Sequence, residues 1–400
     1  MDVRKLLAIA LFAGACGRFG FANEQPPGGT TADAPNGDAS PGDDGSTMSS
    51  TPYLACDAPA RFSVAATPAT LSAITTTNGY DILEVDVDGN VTGWTYTFSS
   101  STGKLAALAS GVALTTNATG PIGGVGTGAN IVCAEEYGRP NPTGTATGEL
   151  DDHLKAVGTA TMRDNEFFDQ GPMAQSGTSS SYALLIADGG DDVTAHIVTA
   201  AGADTGTTKD VIAASEGASF AELKSGGAGY VATWTTNASS PNAVRMAVLD
   251  DNLKIVAGPI TTSSPDDAQS PHAVWAKNAN VYLLIWYEKN ATGGDDIYYE
   301  VRKADLSLVG AQVHARASSY APTVASDGDG FLVAWDNYVP SDHMEAVYVD
   351  AQGASTGRTV VNSGGKPVQW TMTERLGQPA LVWLEDAGIG PNLYIDAVCN

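Results

Sequence analysis

The stretch that decides the fold is VYLLIWYEKNATGGDDIYYEVR, Val281 to Arg302. Val281 to Trp286 is an unbroken apolar run of the length expected for a buried strand and too short for a core helix. A Gly/Asp cluster follows, which suits a turn. Ile297 to Arg302 then alternates in the period-two manner of a half-buried strand. One such hairpin is not stable alone, so its recurrence matters. Related runs begin as YALLI at Tyr182, YVATW at Tyr230, YLLIW at Tyr282, FLVAW at Phe331 and PALVW at Pro379, with weaker copies at Tyr80 and Ala129. The steps between them lie between 48 and 53 residues. A repeat of about 50 residues marks a chain built from stacked or radially arranged units.

Each unit carries a second alternating stretch, such as Ala243–Val248 or Ala346–Val349. A weaker strand precedes the first, as at His272–Trp275, and a fourth follows across a turn such as Asp350–Gly353. Four strands per unit and seven units across residues 53–400 predict an all-β, seven-bladed β-propeller of antiparallel blades. The last unit ends after its third strand, and one orphan apolar stretch, Arg61–Ala65, precedes the first unit. Seating that stretch as the missing strand of the last blade closes the ring and removes an exposed edge. Cys56 and Cys399 flank the two partner strands, so a Cys56–Cys399 disulfide is expected. It would close a span worth on the order of 5 kcal/mol in the chain-entropy description.

Residues 1–52 read differently. Arg4 and Lys5 precede a short apolar run, Leu6 to Ala15, which suits the core of a signal peptide over residues 1–15. The run ends Ala13-Gly14-Ala15-Cys16, which resembles the lipobox of bacterial lipoproteins. That resemblance implies a lipid on Cys16, and Gly17 after it is compatible with delivery to the outer membrane. Residues 16–52 are rich in Gly, Pro, Asp, Ser and Thr with no apolar period, and read as a disordered tether. The expectation is an exported, monomeric, membrane-anchored protein.

The chain has 45 acids against 20 bases, a net charge of −25. That balance excludes nucleic-acid binding through a basic face. The acids cluster near one hairpin of each unit: Glu136, Asp188, Glu288, Asp336 and Asp386 after the first strand, and Asp152, Asp192, Asp295, Asp296 and Asp342 before the second. Gathered on one disc face they would form a broken acidic ring for Ca²⁺, a protein or a glycan. Turn-forming and solubilising roles explain the same residues. The fourth unit has Thr236, Asn237 and Asn242 there instead.

Other chemistry is sparse. Asp86-Val-Asp88-Gly89-Asn90 echoes the start of a calcium loop but lacks the later Glu. The five histidines show no metal-ligand spacing, although His153 and His343 each follow an Asp near a second strand. Cys133 aligns with the recurrent Trp234, Trp286, Trp335 and Trp383, which read as inter-blade packing. With its lipobox, tether and Trp-ended repeats, the chain resembles surface lipoproteins of Gram-negative bacteria, notably of myxobacterial type. The resemblance implies location and fold but no catalytic motif. The expected function is non-catalytic binding. A polysaccharide-directed hydrolase or lyase is the alternative, and a structural subunit of an envelope assembly a third.

Overall fold

A computed structural model describes residues 60–397 apart from 64–67, 87, 99–104, 116–117, 138–143, 165, 169–170, 188–192, 213–216, 238–240, 263–265, 290–294, 317–318, 338–342, 362–365, 376–377 and 387–390. Twenty-eight strands form seven four-stranded antiparallel sheets. β1 (Ala60–Ser63) stands apart in sequence. Blade 1 is β2 (Pro68–Thr75), β3 (Gly79–Asp86), β4 (Val91–Phe98) and β5 (Leu105–Thr115). Blade 2 is β6 (Ala118–Gly126), β7 (Ile131–Tyr137), β8 (Gly144–Leu150) and β9 (Ala156–Asp164). Blade 3 is β10 (Met173–Gln175), β11 (Tyr182–Ala187), β12 (Val193–Val198) and β13 (Asp204–Ile212). Blade 4 is β14 (Ala218–Gly226), β15 (Gly229–Thr236), β16 (Ala243–Asp250) and β17 (Ile255–Thr261). Blade 5 is β18 (Asp267–Ala276), β19 (Val281–Lys289), β20 (Asp295–Lys303) and β21 (Leu308–Arg316). Blade 6 is β22 (Ser319–Ser326), β23 (Gly330–Asn337), β24 (His343–Asp350) and β25 (Ser355–Val360). Blade 7 is β26 (Lys366–Arg375), β27 (Gln378–Asp386) and β28 (Pro391–Ala397), completed by β1 on its outer edge.

The first strand of each blade touches the first strands of both neighbouring blades, β26 against β2 included, so the seven inner strands close a ring. The protein is a seven-bladed β-propeller, and the N-terminal strand fills the outer place in the last blade as the sequence predicts. β1 and β28 pair from Ala60↔Ile395 to Ser63↔Asn392 without a register shift.

The core lies between blades. Seven apolar clusters each join two consecutive blades; one, for example, joins Val231, Met246 and Val248 to Tyr282, Leu284 and Trp286. A second strand such as β15 or β23 is therefore buried along its whole length. Burial on both faces explains why these strands read as continuous apolar runs.

Two backbone devices recur. The inner strands bulge where Phe220, Ser270 and Ala321 take left-handed φ values of 53°, 46° and 47°. Two of these residues precede a proline, Pro271 and Pro322, as Gly171 precedes Pro172. A bulge re-aims the side chain that follows it, here Glu222 and His272. The second device is a five-residue turn after the third strand. Asp151 and Asp250 each accept two backbone N–H groups, and Leu154 and Leu253 follow at φ values of 60° and 62°. Leu306 holds the same turn position in blade 5, and all three leucines are buried in the core against the preceding blade.

Cys133 does not occupy the tryptophan position. The β6–β7 hairpin, Gly126 to Ile131, matches the β22–β23 hairpin, Ser326 to Phe331, in length. Counted from that hairpin, Glu135 stands where Trp335 does. The apolar run in this blade is offset by two residues from the hairpin register, so Cys133 falls two positions before the tryptophan place. Cys133 packs among the apolar residues of blades 1 and 2, and burial pushes its thiol up to about 12.

Candidate functional site: the acidic seam between blades 4 and 5

Second strands end and third strands begin on one face of the disc. Of the expected acids, Glu136, Glu288, Asp295, Asp296, Asp336 and Asp386 lie at those strand ends. Asp152 does not. It sits in the β8–β9 turn at the other end of its blade, because the third strand there ends at Leu150 before the acids begin. His153 shares that turn, so it is not the counterpart of His343, which opens β24. Asp188, Asp192 and Asp342 lie outside the described residues, as do Cys16, Cys56 and Cys399.

Several of these acids are acceptors inside the fold rather than a charged rim. Trp286 Nε1 donates to Glu288 Oε1 at 2.9 Å, and Trp383 Nε1 to Glu385 Oε1 at 2.9 Å. Both carboxylates are buried. Glu136 accepts the Phe168 backbone N–H at 3.1 Å. Asp336 is buried as well.

The neighbours Asp295 and Asp296 part company. Side chains of successive strand residues point to opposite faces. Asp295 pairs across the hairpin with Lys289, and Asp296 with Glu288. Glu288 and Asp296 thus share a face with Trp286 and Tyr298, which are also a directly opposed pair. Tyr298 stacks on Trp286 with ring centroids 6.1 Å apart and on the exposed His314 at 4.8 Å. His314 Nε2 lies 3.5 Å from Asp296 Oδ2. Burial, then the charges of Glu288, Asp296 and Asp266, raise the Tyr298 hydroxyl above its ordinary value. Glu288 and Asp296 therefore border one half-buried aromatic stack, in a seam whose low-dielectric walls strengthen their field.

Neighbouring seams vary this arrangement. In blade 7 Trp383 stacks on Tyr394 at 5.2 Å and keeps its glutamate. In blade 6 Asn337 replaces that glutamate, and Glu345 replaces the tyrosine opposite Trp335. Glu345 Oε1 then accepts from Asn337 Nδ2 at 3.2 Å and lies 3.1 Å from His343 Nε2. Trp335 Nε1 meets no acceptor among the described residues.

A second charged group escaped sequence reading. On the inner wall, Glu222 of β14 meets His272 Nδ1 of β18 at 3.0 Å and Lys224 Nζ at 3.1 Å. Burial opposes ionisation of Glu222, but Lys224 and His272 outweigh it and hold the carboxyl at about 2. The signal that could have located it is the bulge before each residue: Ala221 and Pro271 stand 50 positions apart in adjacent units.

Asp151, Asp152 and His153 bring one ligand atom each within 4.8 Å of the others. The turn itself organises them, since Asp151 accepts the N–H groups of His153 and Lys155 at 2.9 Å each. Asp86 likewise accepts from Asp88 and Asn90, so the apparent calcium loop is a hydrogen-bonded turn.

No protein-family model and no curated protein matches the chain. Solved structures do. A putative 6-phosphogluconolactonase from Bacteroides uniformis superposes with a TM-score of 0.45 at 14% identity, covering 71% of this chain and 82% of that one. The β-propeller domain of the Trilobed protease from Pyrococcus furiosus gives 0.42 at 11% identity, covering 68% and 81%. A thermostable family-43 glycoside hydrolase gives 0.35 at 12%, covering 57% and 88%. These are likenesses of fold, and no functional residue is carried across from them.

Proposed function

We propose that this chain is an exported propeller, lipid-anchored through Cys16 on the outer membrane, as its resemblance to surface lipoproteins of myxobacterial type implies. Its function is non-catalytic binding of a cationic partner at the seam between blades 4 and 5. The observation that carries the reading is that Glu288 and Asp296 share one face with the stacked Trp286, Tyr298 and His314 rings. Carboxylate oxygens around an aromatic face suit a positive charge, by Coulombic attraction and by cation–π contact. Ca²⁺ and a protein's lysine side chains both meet that description.

Titration calorimetry of the full chain with Ca²⁺, and separately with polylysine, tests this reading. Saturable binding to either ligand that drops at least tenfold in Asp296→Asn supports it. Absence of heat with both, or binding untouched by Asp296→Asn, overturns it.

A polysaccharide-directed hydrolase or lyase is the second reading, favoured by Glu222, His272 and Lys224 meeting on the inner wall. Release of reducing ends from acidic and neutral polysaccharides, abolished in Glu222→Gln, would establish it in place of the first.

A further inference from the structure

We propose that Lys224 and His272 form a site on the inner wall for a hydroxy acid of sugar-acid size. Its carboxylate sits on Lys224 and a hydroxyl on His272, with Glu222 beneath as the residue that positions both. The inner wall is made by the first strands of the seven blades. Leaving aside the two terminal positions at each end, those strands carry one acid, one lysine and one histidine: Glu222, Lys224 and His272. The three meet although they come from two blades. Glu222 Oε2 lies 3.0 Å from His272 Nδ1, and Glu222 Oε1 lies 3.1 Å from Lys224 Nζ.

The fold does not require charge there. In blades 3 to 6 a residue with left-handed φ recurs, as Gly171, Phe220, Ser270 and Ala321. Two positions on stand Met173, Glu222, His272 and Thr323. Met173 fills its place as a buried apolar residue, and Thr323 Oγ1 accepts the Met372 N–H at 3.2 Å. A buried carboxylate opposes folding unless it is well paired. Packing alone therefore does not account for a glutamate and a histidine at adjacent copies of this position.

The three side chains are graded in exposure: 5% for Glu222, 23% for His272 and 42% for Lys224. An incoming ligand meets the ring and the ammonium, with the carboxylate underneath. Burial opposes ionisation of Glu222, and Lys224 and His272 overcome it. An ionised carboxylate only accepts hydrogen bonds, so His272 Nδ1 carries a proton and donates to it. The neutral ring then keeps its lone pair on Nε2, which meets no partner among the described residues. Nε2 calls for a donor on the ligand, and the remaining N–H groups of Lys224 call for an acceptor. A molecule bearing both hydroxyl and carboxylate supplies the two, and its bond to Lys224 is charge-assisted. The site shares its residues with the hydrolase or lyase reading but needs no turnover, and it uses no residue of the Trp286 stack.

The test is saturation-transfer NMR on the full chain with D-galacturonate and D-gluconate. D-galactose, which lacks the carboxylate, and propionate, which lacks the hydroxyl, are the comparison probes. The expected result is saturable binding of at least one sugar acid, at least tenfold tighter than either comparison probe. Lys224→Met and His272→Phe should each weaken it at least tenfold, and Asp296→Asn should leave it unchanged. Should a wall variant fail to fold, the four-probe comparison on the parent chain decides by itself. Absence of saturable binding of both sugar acids overturns the inference, as does equal binding of galactose or propionate, or full binding by a folded Lys224→Met variant. Binding without cleavage of polysaccharide upholds the site and discards the hydrolase or lyase reading.

Discussion

Trp286 donates its indole N–H to Glu288 Oε1 across 2.9 Å, from two residues earlier on the same face of β19. Trp383 and Glu385 repeat the bond on β27. A tryptophan N–H buried between blades gains from an acceptor, and in these two blades a carboxylate two residues on supplies one without leaving the strand. The acids most visible in the sequence at this face are thus partly structural.

This relationship predicts unequal costs. Glu385→Ala strips the Trp383 N–H of its acceptor and should destabilise the fold by about 1–3 kcal/mol. Glu385→Gln keeps a carbonyl oxygen in reach and should cost less than half as much. Trp335→Phe loses no bond with a described residue, so it should cost less than Trp383→Phe. Urea unfolding midpoints at constant slope read all four values.

The turn leucines predict a reversal of the usual size order. Leu253 is buried but held at φ 62°. A left-handed residue other than glycine carries roughly 1–2 kcal/mol of strain. Leu253→Ala loses the buried side chain and keeps that strain. Leu253→Gly loses slightly more apolar surface and sheds it. Both variants should be less stable than the parent, with Leu253→Gly the milder by about 1 kcal/mol in thermal or chemical unfolding.

Asp81 and Glu84 make stability depend on pH near neutrality. Both are buried on β3, and burial raises each carboxyl to about 7. A folded value above the unfolded one means that the stabilisation is complete below about pH 4. It is lost as pH rises through about 7. The melting temperature should therefore be higher at pH 6 than at pH 8. Asp81→Asn, which keeps an acceptor for Thr95 Oγ1, should flatten that difference and stabilise the protein at pH 8. An unchanged slope in Asp81→Asn/Glu84→Gln would refute the assignment.

Gly171 predicts a lever on the inner wall. Its φ is 46°, and a Cβ built there would come within 2.5 Å of Glu222 Cγ and 2.7 Å of Oε1. Gly171→Ala should displace the carboxylate from His272 and cost more than about 2 kcal/mol. Urea unfolding of Gly171→Ala beside the parent chain reads that cost, and a loss below about 1 kcal/mol would refute the close approach.

Much of the architecture is legible in the chain, and the reason is locality. A strand buried on both faces shows as a short apolar run, and seven such runs at a regular step announce seven blades. The missing last strand and the orphan stretch at Arg61 announce the closure. The site is less legible. Asp295 and Asp296 look like a pair in sequence, yet the strand period sends them to different seams. Asp152 reads as a member of the acidic face until the end of β8 at Leu150 puts it at the opposite pole.

What the sequence by itself determined is therefore the repeat, its number and the way the circle shuts, because those follow from patterns a few residues long. Only the tertiary structure decided which charges meet. Glu222 and His272 are 50 positions apart and touch because adjacent blades place equivalent bulges side by side. Glu288 and Asp296 flank the Trp286–Tyr298 stack because β19 and β20 pair in the register that opposes them. Such meetings depend on register and bulges, and a one-residue shift in either reverses the face on which every later side chain lies.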